Sequence, residues 1–220
     1  MNKNYSLVTV DWLHENLDDE NLVILDASMD KVLGKEPLVY DHFFCIKGAQ
    51  KCDIEQAFHD SSSNQPNTMP TAEQFTLEAQ KLGVHANSVV VIYDNQGIYC
   101  SPRAWWMFKS MGHKNVYVLD GGLPEWSDKG YATEKHYGSK TKGDFVGDYV
   151  TGAVCHSEAV LNAIDEEGIT VIDARANARF TGAAPEPYAG LRSGHIPKSV
   201  NRSEERRVGK EGRSRGSPYR

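Results

Sequence analysis

This chain has no run of eighteen apolar residues, which excludes a membrane-spanning helix. Its opening, Met1 to Tyr5, lacks the basic-then-apolar pattern of a secretory leader, and the acidic residues Asp11, Glu15, Asp18, Asp19 and Glu20 that follow argue against a transit peptide. A cytoplasmic location is the resulting expectation. Cysteine is sparse: Cys45, Cys52, Cys100 and Cys155 form no C-x-x-C pair, which excludes a zinc knuckle or a dithiol redox motif and leaves buried or incidental reduced thiols as the reading. His42, His59, His85 and His113 stand at no metal-ligand spacing from Cys or carboxylates, so neither a metal nor a cofactor is expected. Positive charge is short as well, with a formal net charge of -6. The basic residues concentrate in 202–220, so the remaining body is more acidic still and is an unsuitable partner for nucleic acid. A local basic pocket for a small anion is compatible with that sum.

Within 220 residues, 40% hydrophobic and 25% charged, there is room for one large domain or two small ones. Leu22 to Asp26, Val89 to Asp94 and Asn115 to Gly122 contain continuous apolar runs, the profile of strands buried on both faces. Ahead of them, residues 7–17 read as a short helix capped by Thr9, and between them residues 71–82 and 102–111 read as two further helices. Buried strands alternating with helices imply a parallel sheet covered on both sides, a three-layer α/β/α fold. Residues 60–70, rich in Ser, Asn and Pro, read as a surface loop.

A weak internal repeat suggests a second domain. Val23-Ile24-Leu25-Asp26-Ala27 resembles Val171-Ile172-Asp173-Ala174-Arg175, and Ile46-Lys47-Gly48-Ala49 resembles Ile196-Pro197-Lys198-Ser199, with offsets of 147 and 150 residues. The organisation expected is a complete first domain over 6–135, a linker over 136–151 that is rich in Gly, Lys and Tyr without apolar period, and the opening part of a second copy over 152–201. Residues 202–220 have almost no apolar content, cannot supply strands, and resemble the translation of a sequencing adaptor; they are set aside as an expected artefact. A half-domain of this kind would leave strand edges open and expose Val171 and Ile172, so the first domain is expected to fold by itself and the second half to be poorly ordered or prone to aggregate.

The most specific stretch is 171–200. A buried strand ends in Asp173 and Arg175, and a polar loop carrying Arg179 and Arg192 leads to Gly194-His195-Ile196-Pro197. Ligands of open parallel sheets bind beyond the carboxyl ends of strands, and guanidinium forks suit small oxyanions. The competing reading is that Arg175 and Arg179 simply pair with Asp173 and Glu186.

The segments Asp173-Ala174-Arg175, Arg179-Phe180, Glu186-Pro187 and Gly190 to Pro197 closely resemble the catalytic-domain opening of tandem rhodanese-type sulfurtransferases. Tyr93 to Gly97, Ser101 to Trp106 and Leu119 to Trp126 look like the non-catalytic first domain of the same family, so the resemblance covers about residues 6 to 201. It implies that Arg179 contacts the anionic end of a sulfur donor. Arg192 implies the mercaptopyruvate-using branch, with thiosulfate as the second candidate. It also implies a cysteine that accepts sulfane sulfur as a persulfide and passes it to cyanide or to a thiol, such as a small thiol or a thioredoxin-like protein. One position departs from the pattern, Lys198, where the family has Gly.

The thiolate of such a site needs a loop of backbone N–H groups at a helix N-terminus. In the first domain that loop begins at Asp94, which cannot form a persulfide, so Asp94 and Arg103 mark a pseudo-site and Cys100 lies past the nucleophile position. By the repeat offset the nucleophile belongs near position 244, outside the chain, and the 220 residues are expected to be inactive as they stand. His195 is read as a structural residue bonding backbone near the site. Two other readings stay open: a non-catalytic module binding an anion or a protein through Asp94 to Arg103, and a phosphatase-like use of the fold, opposed by the lack of a Cys with a properly spaced Arg.

Overall fold

The structure, a computed structural model, describes residues 6–32, 35–63, 67–187 and 190–203; of the expected artefact 202–220, all but Arg202 and Ser203 lies outside the described residues. It divides into two compact units, Met1–Ala153 and Val154–Arg220.

The first unit runs β1 (Leu7–Val8), α1 (Val10–Glu15), β2 (Leu22–Asp26), β3 (Cys45–Ile46), β4 (Gln50–Lys51), α2 (Ala72–Lys81), β5 (Val89–Tyr93), α3 (Ser101–Ser110), β6 (Val116–Leu119), α4 (Gly122–Asp128) and β7 (Thr133–Glu134). Five strands form a parallel sheet in the order β1-β6-β5-β2-β4, and β3 pairs antiparallel with β7 at its side. The apolar runs are buried on both faces for a visible reason. Val23, Leu25, Val90 and Ile92 pack with Phe75 of α2 and with Ala104, Met107 and Phe108 of α3. Leu22, Ile24, Val91 and Tyr93 pack with Val10 and Leu13 of α1 and with Leu123 and Trp126 of α4. Alternate side chains thus feed two cores, the three-layer arrangement expected. The helix starts follow from their caps: Trp12 N donates to Thr9 Oγ1 at 3.2 Å, and Gln74 N donates to Thr71 Oγ1 at 3.2 Å.

Residues 136–151, expected as a linker, contain no helix or strand but are fastened along the first unit. Gly143 N donates to Gln80 O at 2.8 Å, Phe145 N to Val84 O at 3.1 Å, Gly147 N to Thr76 Oγ1 at 2.9 Å and Val150 N to Ser110 O at 2.8 Å. Phe145 is buried in the core beside Phe75. Tertiary hydrogen bonds replace the missing periodicity, and the segment acts as a strap.

The second unit contains α5 (Ser157–Ala163), β8 (Ile172–Asp173), α6 (Asn177–Phe180) and β9 (Val200–Asn201). Its backbone repeats features of the first. Strands β8 and β9 pair in parallel with Ile172 opposite Val200 and Asp173 opposite Asn201, as β2 and β4 pair Leu25 with Gln50 and Asp26 with Lys51. Arg202 N donates to Asp173 O at 2.9 Å where Cys52 N donates to Asp26 O at 2.8 Å. Among the described residues this unit buries no apolar side chain; Leu161, Ile172 and Leu191 are more than half exposed.

Candidate functional site

In the first unit the loop after β5 wraps the carboxylate of Asp94, which is fully buried. Gln96 N donates to Oδ1 at 2.9 Å, while Tyr99 N, Cys100 N and Ser101 N donate to Oδ2 at 2.8, 2.9 and 2.9 Å and the Ser101 hydroxyl adds a fifth bond at 2.7 Å. Cys100 stands at the N-cap of α3 but its side chain makes no capping bond. Asp94 therefore supplies, from further upstream, the negative charge that a helix N-terminus favours. The close turn depends on Gly122, whose φ is +56°; a Cβ there would lie 2.6 Å from Asp94 O.

Arg103, read together with Asp94 as the pseudo-site, makes its bond outside this loop. Its Nη2 donates to Asn67 O at 2.6 Å, its Nε is buried without a partner, and burial lowers its pKa. The two members of the pseudo-site are not brought into an ion pair.

The second unit gathers its charges around the end of β8. Arg175 reaches both oxygens of Asp173, donates to Glu186 Oε1 at 2.7 Å and to Gly194 O at 2.7 Å. Arg179 donates to the other oxygen of Glu186. The guanidinium beside each holds Asp173 and Glu186 below the usual carboxylate range, Arg175 acting on Asp173 and Arg179 foremost on Glu186. Glu186 thus bridges two arginines, so the pairing reading describes Arg175 and Arg179 here. Arg192 differs: it is exposed, lines an open cavity of about 710 Å³ with Asp173, Arg175, Glu186 and His195, and has no carboxylate partner among the described residues. His195 Nδ1 lies 2.7 Å from Phe180 O and its ring stacks on Phe180 at 4.0 Å, which anchors the loop to α6 as a structural residue would.

Among the described residues no cysteine sits in a cradle of N–H groups. Cys45, Cys52 and Cys100 are buried, and burial pushes all three thiols up, Cys45 to about 11 and Cys100 to about 12. Such thiols are poor nucleophiles near neutral pH. Cys155 is exposed.

A family model described as a rhodanese-like domain matches residues 9–129, more than half of the chain. The chain belongs to the rhodanese family. It is 36% identical over 218 residues to thiosulfate/3-mercaptopyruvate sulfurtransferase 2 of Arabidopsis thaliana, covering 89% of this chain and 64% of that protein. It is 35% identical over 196 residues to the 3-mercaptopyruvate sulfurtransferase of Escherichia coli, covering 88% of this chain and 69% of the relative. The crystal structure of SseA from Escherichia coli, a 3-mercaptopyruvate sulfotransferase, superposes with a TM-score of 0.76 at 33% identity over 90% of this chain and 74% of that one. The chain thus spans 64% and 69% of the lengths of these two curated relatives.

Within the rhodanese fold, Asp94 places a carboxylate in a ring of donors fit for an anion. Its five-donor environment was not readable from sequence, because four of the donors are backbone groups between Gln96 and Ser101 whose aim depends on how the loop closes. Sequence likewise offers Glu186 only as a competing partner; its buried bridging position between Arg175 and Arg179 requires the loop to fold back on α6.

Proposed function

We propose that the whole protein is a sulfurtransferase that moves sulfane sulfur from 3-mercaptopyruvate, with thiosulfate as the second donor, to a thiol or cyanide through a cysteine persulfide. The carrying observation is Arg192, an exposed guanidinium on the cavity at the carboxyl end of β8 with no carboxylate pairing it among the described residues. A small anionic donor meets a positive group there. Arg179, the other proposed donor contact, is held by Glu186 and would exchange that partner for the donor's anionic end. The acceptor is proposed to be a small thiol or a thioredoxin-like protein.

The first unit and the second share strand registers, Asp-capped strand ends and offsets of 147 and 150 residues, which supports reading them as two copies of one domain. On that reading the position of Asp94 maps to about residue 244, where the persulfide cysteine belongs. The 220 residues alone are proposed to be inactive, since none of the described thiols is seated in an N–H cradle. The runner-up reading, an anion- or protein-binding module using Asp94 to Arg103, is weakened for anions because a carboxylate already fills the cradle.

The test is to extend the source gene past codon 201. The expected continuation carries a Cys-Gly loop near position 244, and its product releases pyruvate from 3-mercaptopyruvate; Cys→Ser there abolishes release, and Arg192→Ala raises KM for the donor. A frame that instead keeps Arg202 to Arg220 and then stops would sink the enzyme reading.

A further inference from the structure

The first unit contains a cavity of about 450 Å³ above Asp26, at the carboxyl ends of β2 and β5. The sheet order changes direction between these two strands, because the chain leaves β2 for β4 on one side and returns through β5 on the other. Open parallel sheets take ligands in the crevice formed there.

Part of this cavity's lining corresponds to that of the cavity lined by Arg192. Ser28 N donates to Asp26 Oδ1 at 2.8 Å as Arg175 N donates to Asp173 Oδ1 at 2.9 Å. Glu36-Pro37 stands 150 residues before Glu186-Pro187, and the loops they open end in Ala49 N to Ile46 O and Ser199 N to Ile196 O. Five lining positions correspond, and four of them change chemistry. Asp173 remains a carboxylate as Asp26; Arg175 becomes Ser28, Arg192 becomes His42, Ser193 becomes Phe43 and Gly194 becomes Phe44. Two guanidiniums are lost, and two phenyl rings and an imidazole gained.

The consequence is a nearly buried carboxylate with no direct ion pair among the described residues. Asp26 accepts from Ser28 and, at 3.0 Å, from the Tyr137 hydroxyl, but among the described residues no Lys, Arg or His forms an ion pair with it. Lys51 lines the cavity too, its ammonium donating to Ser28 O, so the lining sets two carboxylates, Asp26 and Asp30, against one ammonium. Around the carboxylate stand two edge-to-face aromatic pairs, Tyr40 with Phe44 at 5.2 Å and Phe43 with Tyr137 at 5.0 Å. Ring faces attract cations, a carboxylate in a low-dielectric recess strengthens the attraction, and the same carboxylate repels an anion. We infer that this cavity binds a small organic cation, an amine on an aromatic or apolar body, where the second unit's counterpart favours anions. The inference stands independently of the sulfur-transfer reading, because it concerns a different cavity in a different unit.

The experiment uses the full 220-residue chain, isotope-labelled, and three probes of nearly one shape: benzylamine, benzyl alcohol and benzoate. Benzylamine is expected to shift the amide signals of Ser28 and Asn95 and to bind about tenfold tighter than benzyl alcohol, with benzoate weakest. Asp26→Asn is expected to erase the amine preference. Because that substitution disturbs a buried network, Asp30→Asn, exposed on the rim, serves as a second variant and is expected to weaken benzylamine about threefold while leaving benzyl alcohol unchanged. Equal binding of the three probes, a preference for benzoate, or no amine-dependent shift at Ser28 and Asn95 would each overturn the inference.

Discussion

Gly48 and Lys198, 150 positions apart, occupy the same left-handed backbone conformation, with φ of +76° and +60°. Each precedes a short parallel strand, β4 or β9, and closes the turn that feeds it. Glycine adopts this conformation freely, whereas a side chain there costs about 1 kcal/mol. A Cβ at Gly48 would meet no atom within 4 Å, so the cost of replacing it is purely conformational.

Two opposite effects are therefore expected. Gly48→Lys should destabilise the first unit by about 1 kcal/mol. Urea unfolding followed by tryptophan fluorescence measures this, since Trp12, Trp105, Trp106 and Trp126 all lie in that unit. Lys198→Gly should raise hydrogen-exchange protection of the Val200 amide, which donates to Val171 O, despite loss of the exposed Lys198–Asp165 pair. Unchanged protection would remove the strain argument.

Asp94 holds the loop after β5 closed through five hydrogen bonds. Asp94→Ala leaves four backbone N–H groups and the Ser101 hydroxyl without their acceptor in a buried site, with an expected loss of about 3–5 kcal/mol. Asp94→Asn keeps one oxygen and should lose about 2 kcal/mol. A loss below about 1 kcal/mol for the alanine variant in the same unfolding measurement would mean that water replaces the carboxylate.

The strap makes a steric prediction. A Cβ on Gly143 would fall 2.0 Å from Val84 O, a backbone atom that cannot step aside. Gly143→Ala should lift the segment, expose the amides of Gly143 and Phe145 to exchange, and open residues 140–150 to limited proteolysis. The exposed neighbour Lys142→Ala is the control, and equal resistance of both variants would show that the strap does not depend on this contact.

Acid should weaken the first unit through His113. Its ring is buried against Phe108 and Phe145, Nδ1 has no partner, and burial holds its pKa below the ordinary 6.5. The folded imidazole stays neutral while the unfolded one takes a proton, so the unfolded state binds more protons below about pH 6.5. Stability is then unaffected well above that pH and falls as pH drops towards the lowered folded value. His113→Phe should flatten this slope. Measuring the variant and its parent in a His85→Gln background separates the effect from the exposed His85–Asp144 pair. An identical slope with and without the His113 substitution would assign the acid sensitivity elsewhere.

What the sequence alone determined was whatever depends on neighbours within a few residues. The apolar runs ending at Asp26 and Tyr93 read as strands covered on both faces, because their residues are apolar in succession and one-sided burial would leave half of them exposed. Thr9 read as a cap because its hydroxyl needs only the amide three residues on. The arginines at 175, 179 and 192 read as anion-binding groups by residue type and place, with Asp173 and Glu186 as competing partners of the first two, and local sequence could not choose between the readings. Tertiary structure decided that Asp173 and Glu186 together pair two of them and leave Arg192 to the cavity, since that depends on where the loop after α6 returns. It also decided that 136–151 is a strap rather than a spacer, and that Asp94 fills an anion cradle of its own. Hydrogen bonds between residues distant in sequence carry no local periodicity, so composition could mark these segments as irregular but could not say what they hold.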